Sequence, residues 1–394
     1  MNKIPIPIHI YFLCEKIACY GGKAKIVGGY VRDALNGILQ PNTEIDLATT
    51  LLPKDVIQLC NDNALKAIPT GIEHGTITVI INNITIEITT LRSDVRCYGR
   101  HADVVFGNNW EEDAARRDCT INAIYADING TIYDYFNGQS DLRNSIVKFI
   151  GDPVQRIHED YLRIMRYFRF LGYFESILLD HKSFHAATML ASNLQFIAAE
   201  RIKSELIKIC ISRYPLNAIK LMIEHNIFMY LKLDALNQIS AKQINHMIFC
   251  DDPIINLTAL FKIARMPDLS ILHELRFSIN EQKKIKNLLQ HSEEQNQCFI
   301  NIQSLNEAHN MMQKIGKQEY INSYKMSCVL QGKVADQITQ LHSIELKTFP
   351  INGTDIMQLG YQGPKVGEYL KRLKNLWLNS DCELNKEQLT QLLL

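Results

Sequence analysis

Two short runs near the start of this 394-residue chain hold residues suited to phosphoryl chemistry. Residues 22–33 read GKAKIVGGYVRD and residues 43–49 read TEIDLAT. The pattern is a strand ending in Gly28-Gly29, a helix start carrying Arg32 and Asp33, and a second strand with Glu44 and Asp46 one residue apart. Alternation along a strand puts those two carboxylates on one face, where paired hard oxygens can hold a divalent cation and leave positions for phosphate and water. The glycines let backbone amides approach a triphosphate with no Cβ in the way. A third acid, Glu87, lies in TIEITTLR between Ile86 and Ile88. If those isoleucines face the core, Glu87 faces the first acidic pair. Three converging carboxylates repel one another unless a cation or a shared proton relieves them.

Residues 116–123, RRDCTINA, place Arg116, Arg117 and Asp118 together: two cations for phosphate and an acceptor for a ribose hydroxyl. A surface ion-pair cluster is the structural alternative. In RIHEDYLRIMRYFRF, Asp160 and Arg163 are three apart, neighbours if both lie on one helix. Adenine and cytosine each show an amino group beside an unprotonated ring nitrogen, whereas uracil and guanine show a carbonyl beside an N–H. A carboxylate accepting from the amino group and a guanidinium donating to the ring nitrogen therefore take A or C and refuse U or G. Glu159, one turn before Arg163, can fix that arginine, and Arg156, Arg166 and Arg169 add positive charge suited to a triphosphate or an RNA backbone.

These residues need a sheet and a helix to hold them. Over the first 150 positions, short β-branched runs alternate with helical segments, and TITVIINNITIEITTL turns at Asn82-Asn83 as a hairpin. From residue 151 the period becomes helical. The fold class is α+β, a mixed-sheet head followed by helices. Its parts are expected at 1–150, 151–215, 216–330 and 331–394. Near the end, LGYQGPKVGEYLKRLKNLW opens a helix with glycines and a proline. Basic and acidic residues balance at 42 each, so a polyanionic partner must be met by local clusters. The ten cysteines show no CxxC pair and no zinc spacing, which fits reduced thiols in the cytoplasm. No stretch reaches membrane-spanning length, so no membrane partner is expected.

In order along the chain, GGYVRD, EIDLATT, TGIEHGTITV, IEITTLR, DVRCYGRHADVVF, RRDCTINA, DYFNGQSDL, EDYLR and AERIKSEL resemble the class II tRNA nucleotidyltransferases, the CCA-adding enzymes, within a group shared with bacterial poly(A) polymerases. The resemblance implies a catalytic nucleotidyltransferase head, a neck that recognises the base, a body, and a tail that binds tRNA. It implies Mg²⁺ as cofactor, tRNA, CTP and ATP as partners, and addition of C, C and A to the tRNA 3′ end. It maps catalysis to Glu44, Asp46 and Glu87, with Glu44 and Asp46 as metal ligands. Nucleotide contacts map to Gly28, Gly29, Arg32, Asp33, Arg116, Arg117, Asp118, Asn122, Glu159, Asp160, Arg163 and Arg166. Asp94 to Val105 corresponds to a flexible loop that helps switch from C to A. Asp134 and Asp141 mark a hinge region, and Glu200, Arg201 and Glu205 a motif that stabilises the neck helix. The chain departs from the family pattern at Glu44, where Asp is usual, and at Cys119, where Phe is usual. Within the class the alternatives are a poly(A) polymerase or a CC-only or A-only enzyme. Outside it stands an inactive RNA-binding protein with a nucleotidyltransferase head. Oligomeric state is not set by the sequence.

Overall fold

The structure, a computed structural model, describes residues 3–41, 43–98, 101–294 and 305–393. The chain divides into two compact units, Met1–Asn237 and Gln238–Leu394. The first holds α1 (Ile8–Cys19), β1 (Ala24–Val27), α2 (Gly29–Leu35), β2 (Ile45–Thr49), α3 (Pro53–Asp62), β3 (Lys66–Gly71), β4 (Thr76–Ile81) and β5 (Ile84–Thr90). Next come β6 (Arg92–Tyr98), β7 (His101–Phe106), α4 (Trp110–Ala115), β8 (Ile124–Ala126), β9 (Ile132–Asp134) and α5 (Gly138–Arg143). Seven of these strands form a sheet in the order β3-β4-β5-β2-β1-β8-β9. It is mixed, because β2 and β5 run parallel while β1 pairs antiparallel with both β2 and β8.

The hairpin turns where the sequence indicates: Asn82 and Asn83 take φ of 49° and 64°, the left-handed pair that a two-residue turn between twisted strands requires. Alternation then sorts the faces. Ile26, Leu47, Ile77, Val79, Ile86 and Ile88 pack with Leu13 and Ile17 of α1 and Val56 and Leu59 of α3. Val27, Ala48, Ala114, Ala123 and Tyr125 form a smaller cluster on the other face. Asp46 and Glu87 belong to that second face, as the burial of Ile45, Leu47, Ile86 and Ile88 on the first dictates. β6 and β7 pair with each other as a separate ribbon. This ribbon contains the Asp94–Val105 segment, of which Gly99 and Arg100 lie outside the described residues.

The remainder of the unit is β10 (Ile146–Val147), α6 (Pro153–Glu159), α7 (Leu162–Leu171), β11 (Leu178–Leu179), α8 (His181–Met189), α9 (Ala199–Cys210) and α10 (Pro215–Glu224), with short 3₁₀ turns. The all-helical expectation beyond residue 150 fails at Leu178–Leu179, which pairs in parallel with Ile146–Val147. The chain leaving α7 runs beside the head there and satisfies its backbone groups on it. α7 is amphipathic as its period predicts: Leu162, Ile164, Met165, Tyr167, Phe168 and Leu171 are buried. Arg163, Arg166 and Arg169 recur every three residues on the opposite stripe, which faces a cavity.

The second unit is built of helices, among them Pro253–Ile263, Ile279–Glu294, Lys317–Gln331 and Pro364–Asn379. Two apolar clusters hold it, one around Met312, Tyr320, Tyr324 and Leu341, the other around Ile356, Leu373, Trp377 and Leu389. The GYQGP run starts its helix as expected, with Gly363 at φ 61° ahead of Pro364. Among the described residues the free cysteines Cys14, Cys60, Cys119, Cys210, Cys328 and Cys382 are buried. No described helix is long and apolar enough to cross a membrane.

Candidate active site

A cavity of about 790 Å³ opens between the second face of the sheet and the polar stripe of α7. Its wall includes Gly28, Gly29, Arg32, Asp33, Glu44, Asp46, Arg116, Arg117, Asp118, Asn122, Asp160, Arg163 and Arg166, all of them residues singled out in the sequence. Of the residues assigned to catalysis or nucleotide contact, Glu87 and Glu159 are not part of the wall. Glu87 is exposed and stands directly across from Asp46 in the β2–β5 register. Glu159 lies behind Arg163. Among the described residues, nine arginines and Lys208 line the wall, against five carboxylates. The excess of positive charge suits a polyphosphate.

Gly28 caps α2 with φ 80°, and a Cβ there would lie 3.5 Å from Asp46 Oδ2, so the strand-to-helix turn runs close over the carboxylate. Burial pushes the Asp46 carboxyl up to about 6. Arg117 opposes this, while Glu87 and Glu44 add to it. Two neighbouring acids thus already disfavour each other's charge, and the donor set is hard carboxylate oxygen. That is the chemistry a divalent cation neutralises. Among the described residues no group of three or more His, Cys, Asp or Glu converges on one metal position.

The RRDCTINA block is no surface cluster. Asp113 of α4, fully buried, receives Arg116 at 2.7 Å, Arg117 at 3.3 Å and the Tyr125 hydroxyl at 2.7 Å. Asp118 accepts the Cys119 amide at 2.8 Å and Arg166 Nε at 2.6 Å. Despite burial, the Arg166 guanidinium and the Cys119 N–H hold its carboxyl far below the usual range. Cys119 itself is wholly buried, consistent with a packing role at this position. Asn122 accepts Arg32 Nη1 at 2.8 Å, and Arg32 is also paired to Asp33.

One expectation needs correction. Asp160 and Arg163 do not share a helix: α6 ends at Glu159, Asp160 is extended (φ −156°, ψ 108°), and α7 begins at Leu162. The break frees the Asp160 carboxylate to accept the Leu162 amide at 3.1 Å and to turn toward α9. There Arg201 donates to both oxygens, at 3.2 and 2.6 Å. Arg163 donates Nη1 to Glu159 at 2.9 Å and to the Arg156 carbonyl at 3.2 Å, and Nη2 to the Arg116 carbonyl at 3.1 Å. Each member of the pair is therefore aimed by its own partners. By donor and acceptor count, one lone-pair direction on Asp160 Oδ2 and the Nε edge of Arg163 remain for a ligand.

Sequence reasoning missed the Arg201–Asp160 fork, because pairing across 41 residues leaves no periodic trace, and it missed Asp113, whose burial is set by tertiary packing and not by its local spacing. It also passed over Tyr173 and Arg213, which complete the wall. Asp134 and Asp141, read as a hinge, are found in a packed turn. Asp134 accepts amides of Phe136, Gly138 and Gln139, Asp141 accepts the Thr120 hydroxyl at 2.6 Å, and a Cβ on Gly138 would meet Thr120 O at 2.2 Å. Glu205 of the neck motif pairs with Arg169 at 3.0 Å.

Sheet, glycine turn, acidic strand and cationic cavity together define a nucleotidyltransferase head. The family described as "Poly A polymerase head domain" matches residues 24–148, and "Probable RNA and SrmB- binding site of polymerase A" matches 179–236. The chain is 33% identical over 388 residues to the mitochondrial CCA tRNA nucleotidyltransferase 1 of Homo sapiens, covering 93% of this chain and 85% of that one. It is 30% identical to the CCA-adding enzyme of Staphylococcus saprophyticus, covering 92% of each. Its fold matches the crystal structure of the Bacillus stearothermophilus CCA-adding enzyme in complex with CTP with a TM-score of 0.78, at 25% identity, over 95% of this chain and 93% of that one. The chain belongs to the CCA-adding tRNA nucleotidyltransferase family.

Proposed function

We propose that this protein adds C, C and A to the 3′ end of tRNA from CTP and ATP, releasing pyrophosphate. The observation that carries the reading is the meeting, in one cavity, of the acidic strand pair and the Asp160–Arg163 pair. The first suits phosphoryl transfer and the second suits a base that bears an amino group.

The carboxylates of Glu44 and Asp46 would hold Mg²⁺, with Glu87 supporting Asp46 from the neighbouring strand. When bound there, the ion lowers the pKa of the primer 3′-hydroxyl and balances charge on the leaving pyrophosphate. Arg32, Arg116, Arg117 and Arg166 bind and orient the triphosphate, aided by the Gly28–Gly29 backbone. Asp33, Asp118 and Asn122 orient those cations and the ribose. Asp160 accepts from the amino group of cytosine or adenine, and Arg163 donates to the ring nitrogen beside it. Glu159 keeps Arg163 in place. A base with a carbonyl and an N–H at that edge leaves both charged groups opposed, which refuses UTP and GTP.

By this reading residues 1–150 are the catalytic head, 151–215 the neck, 216–330 the body and 331–394 the tRNA-binding tail, in a cytoplasmic enzyme. The assay is extension of a tRNA ending at its discriminator base with CTP, ATP and Mg²⁺. Growth by three nucleotides, lost in Asp46→Ala, is the expected result. Long A tracts, a partial end or no growth would each overturn it.

A further inference from the structure

Arg32 is held by three residues, Asp33, Asn122 and Tyr173, of which Tyr173 follows α7. Its Nε donates to Asp33 Oδ1 at 2.9 Å, its Nη2 lies 2.8 Å from the same oxygen, and its Nη1 reaches Asn122 at 2.8 Å. Those partners fix the plane of the guanidinium. The guanidinium carbon lies over the ring of Tyr173, with Cζ 4.4 Å from the ring centroid. The Tyr173 hydroxyl also donates to Asp33 Oδ1 at 3.0 Å, so one side chain touches both members of the Arg32–Asp33 pair. Burial pushes this phenol up to about 12, and it stays a neutral donor at any working pH.

Tyr173 is itself a fixed support. It follows Gly172, whose carbonyl accepts the Tyr214 amide at 2.7 Å and whose Cβ position would lie 2.4 Å from Ser212 Oγ. A side chain at Gly172 would have to displace the Ser212 hydroxyl, so glycine suits the close approach of the two helix ends. One residue later, Asn217 Nδ2 donates to the carbonyls of Phe174 at 2.7 Å and Glu175 at 2.8 Å. The turn after α7 is thus clamped by α9 and α10, and Tyr173 projects from it into the cavity wall. The same helix carries Arg163 in its first turn. One rigid element therefore reaches the base-reading end of the cavity and the head's phosphate-contacting arginine together.

We propose that Tyr173 is a positioning residue for nucleotide binding, aiming Arg32 by cation–π contact with its guanidinium and by bonding to Asp33. This rests on the reading of Arg32 as a nucleotide contact. A guanidinium held over a ring retains its position when its hydrogen bonds exchange, and desolvated cation–π contact adds to the attraction. The contacts of Tyr173 run to Asp33 and Arg32 and not to Asp160 or Arg163, so it should act on C and A addition alike.

The test uses the full-length protein and a tRNA acceptor, with Tyr173→Ala, Tyr173→Phe, Arg32→Ala and the double variant. Tyr173→Ala should raise KM for CTP and for ATP about tenfold each, with kcat and the CTP:UTP preference within twofold of wild type. Tyr173→Phe, which keeps the ring, should recover most of that loss. In the Arg32→Ala background, Tyr173→Ala should add no further rise, an outcome that a merely structural role would not produce. Additive effects, or a loss confined to kcat and melting temperature, overturn the proposal. If Tyr173→Ala is silent while Arg32→Ala is not, the inference alone falls. If Arg32→Ala is silent as well, the reading of Arg32 falls and takes the inference with it.

Discussion

Replacing Arg201 by alanine tests how Asp160, the carboxylate proposed to read the base, is aimed. Arg201 sits on α9, 41 residues from Asp160, and its fork meets both carboxylate oxygens. The side chains are 26% and 19% exposed, so the pair is screened by solvent but not dissolved in it. Hydrogen bonds to charged groups contribute about 1.5–3 kcal/mol. Partial exposure and side-chain entropy reduce the two bonds together to ~1–2 kcal/mol. At 1.36 kcal/mol per tenfold in rate, that is about 5- to 30-fold in kcat/KM if the lost order is felt at nucleotide selection. Once the fork is gone the Leu162 amide still holds Oδ1, but Oδ2, which among the described residues Arg201 Nη2 alone meets, is left to turn away. The loss should fall on CTP and ATP, which need an acceptor for their amino group, and much less on UTP. The CTP:UTP ratio should therefore drop by nearly the whole factor. Single-turnover extension of tRNA with each nucleotide alone measures this, and Arg201→Lys, which keeps charge without the fork, should recover little of it. An unchanged CTP:UTP ratio in a variant of normal melting temperature would refute the reasoning.

Asp46 supplies a pH-linked outcome. Its folded carboxyl titrates near 6 against 3.8 unfolded, so its ionisation opposes folding, and the penalty builds as pH rises from 4 through 6 to a full ~3 kcal/mol. In urea titrations without metal, Asp46→Asn should be more stable than wild type above pH 6 and no different below pH 4. Saturating Mg²⁺ should narrow the gap, and chelation by EDTA should abolish nucleotide addition until the ion is restored. Asp113→Ala leaves two arginines without their buried partner and should cost about 3–5 kcal/mol in denaturant unfolding. Gly138→Ala forces a methyl onto Thr120 O and should cost about 1–3 kcal/mol, read as a fall in melting temperature.

Much of this architecture can be read from local pattern. Strand alternation placed Glu87 on the face of Asp46, and the β2–β5 register sets the two opposite each other. Two asparagines marked the hairpin, and the three-residue recurrence of Arg163, Arg166 and Arg169 marked the polar stripe of α7. The failures are of another kind. The segment RIHEDYLRIMRYFRF has uninterrupted helical spacing, yet it breaks at Asp160, because a carboxylate bonding the amide two residues on competes with helix continuation. Arg201 competes as well, from a helix whose sequence marks the residue within a motif but not its partner. Asp113 looks like one more acid in the first turn of α4, and only the sheet behind it makes it a buried anchor.

The wall's arginines bring their own counter-ions. Arg116 and Arg117 rest on Asp113, Arg166 on Asp118, Arg163 on Glu159, Arg169 on Glu205 and Arg32 on Asp33. A triphosphate that settles there trades places with tethered carboxylates and displaces fewer mobile salt ions than a bare basic groove would release. When pyrophosphate departs, the tethered acids reclaim the cations at once. Such a cavity keeps only part of its positive charge free between turnovers, which favours modest grip and quick clearance in the proposed reaction.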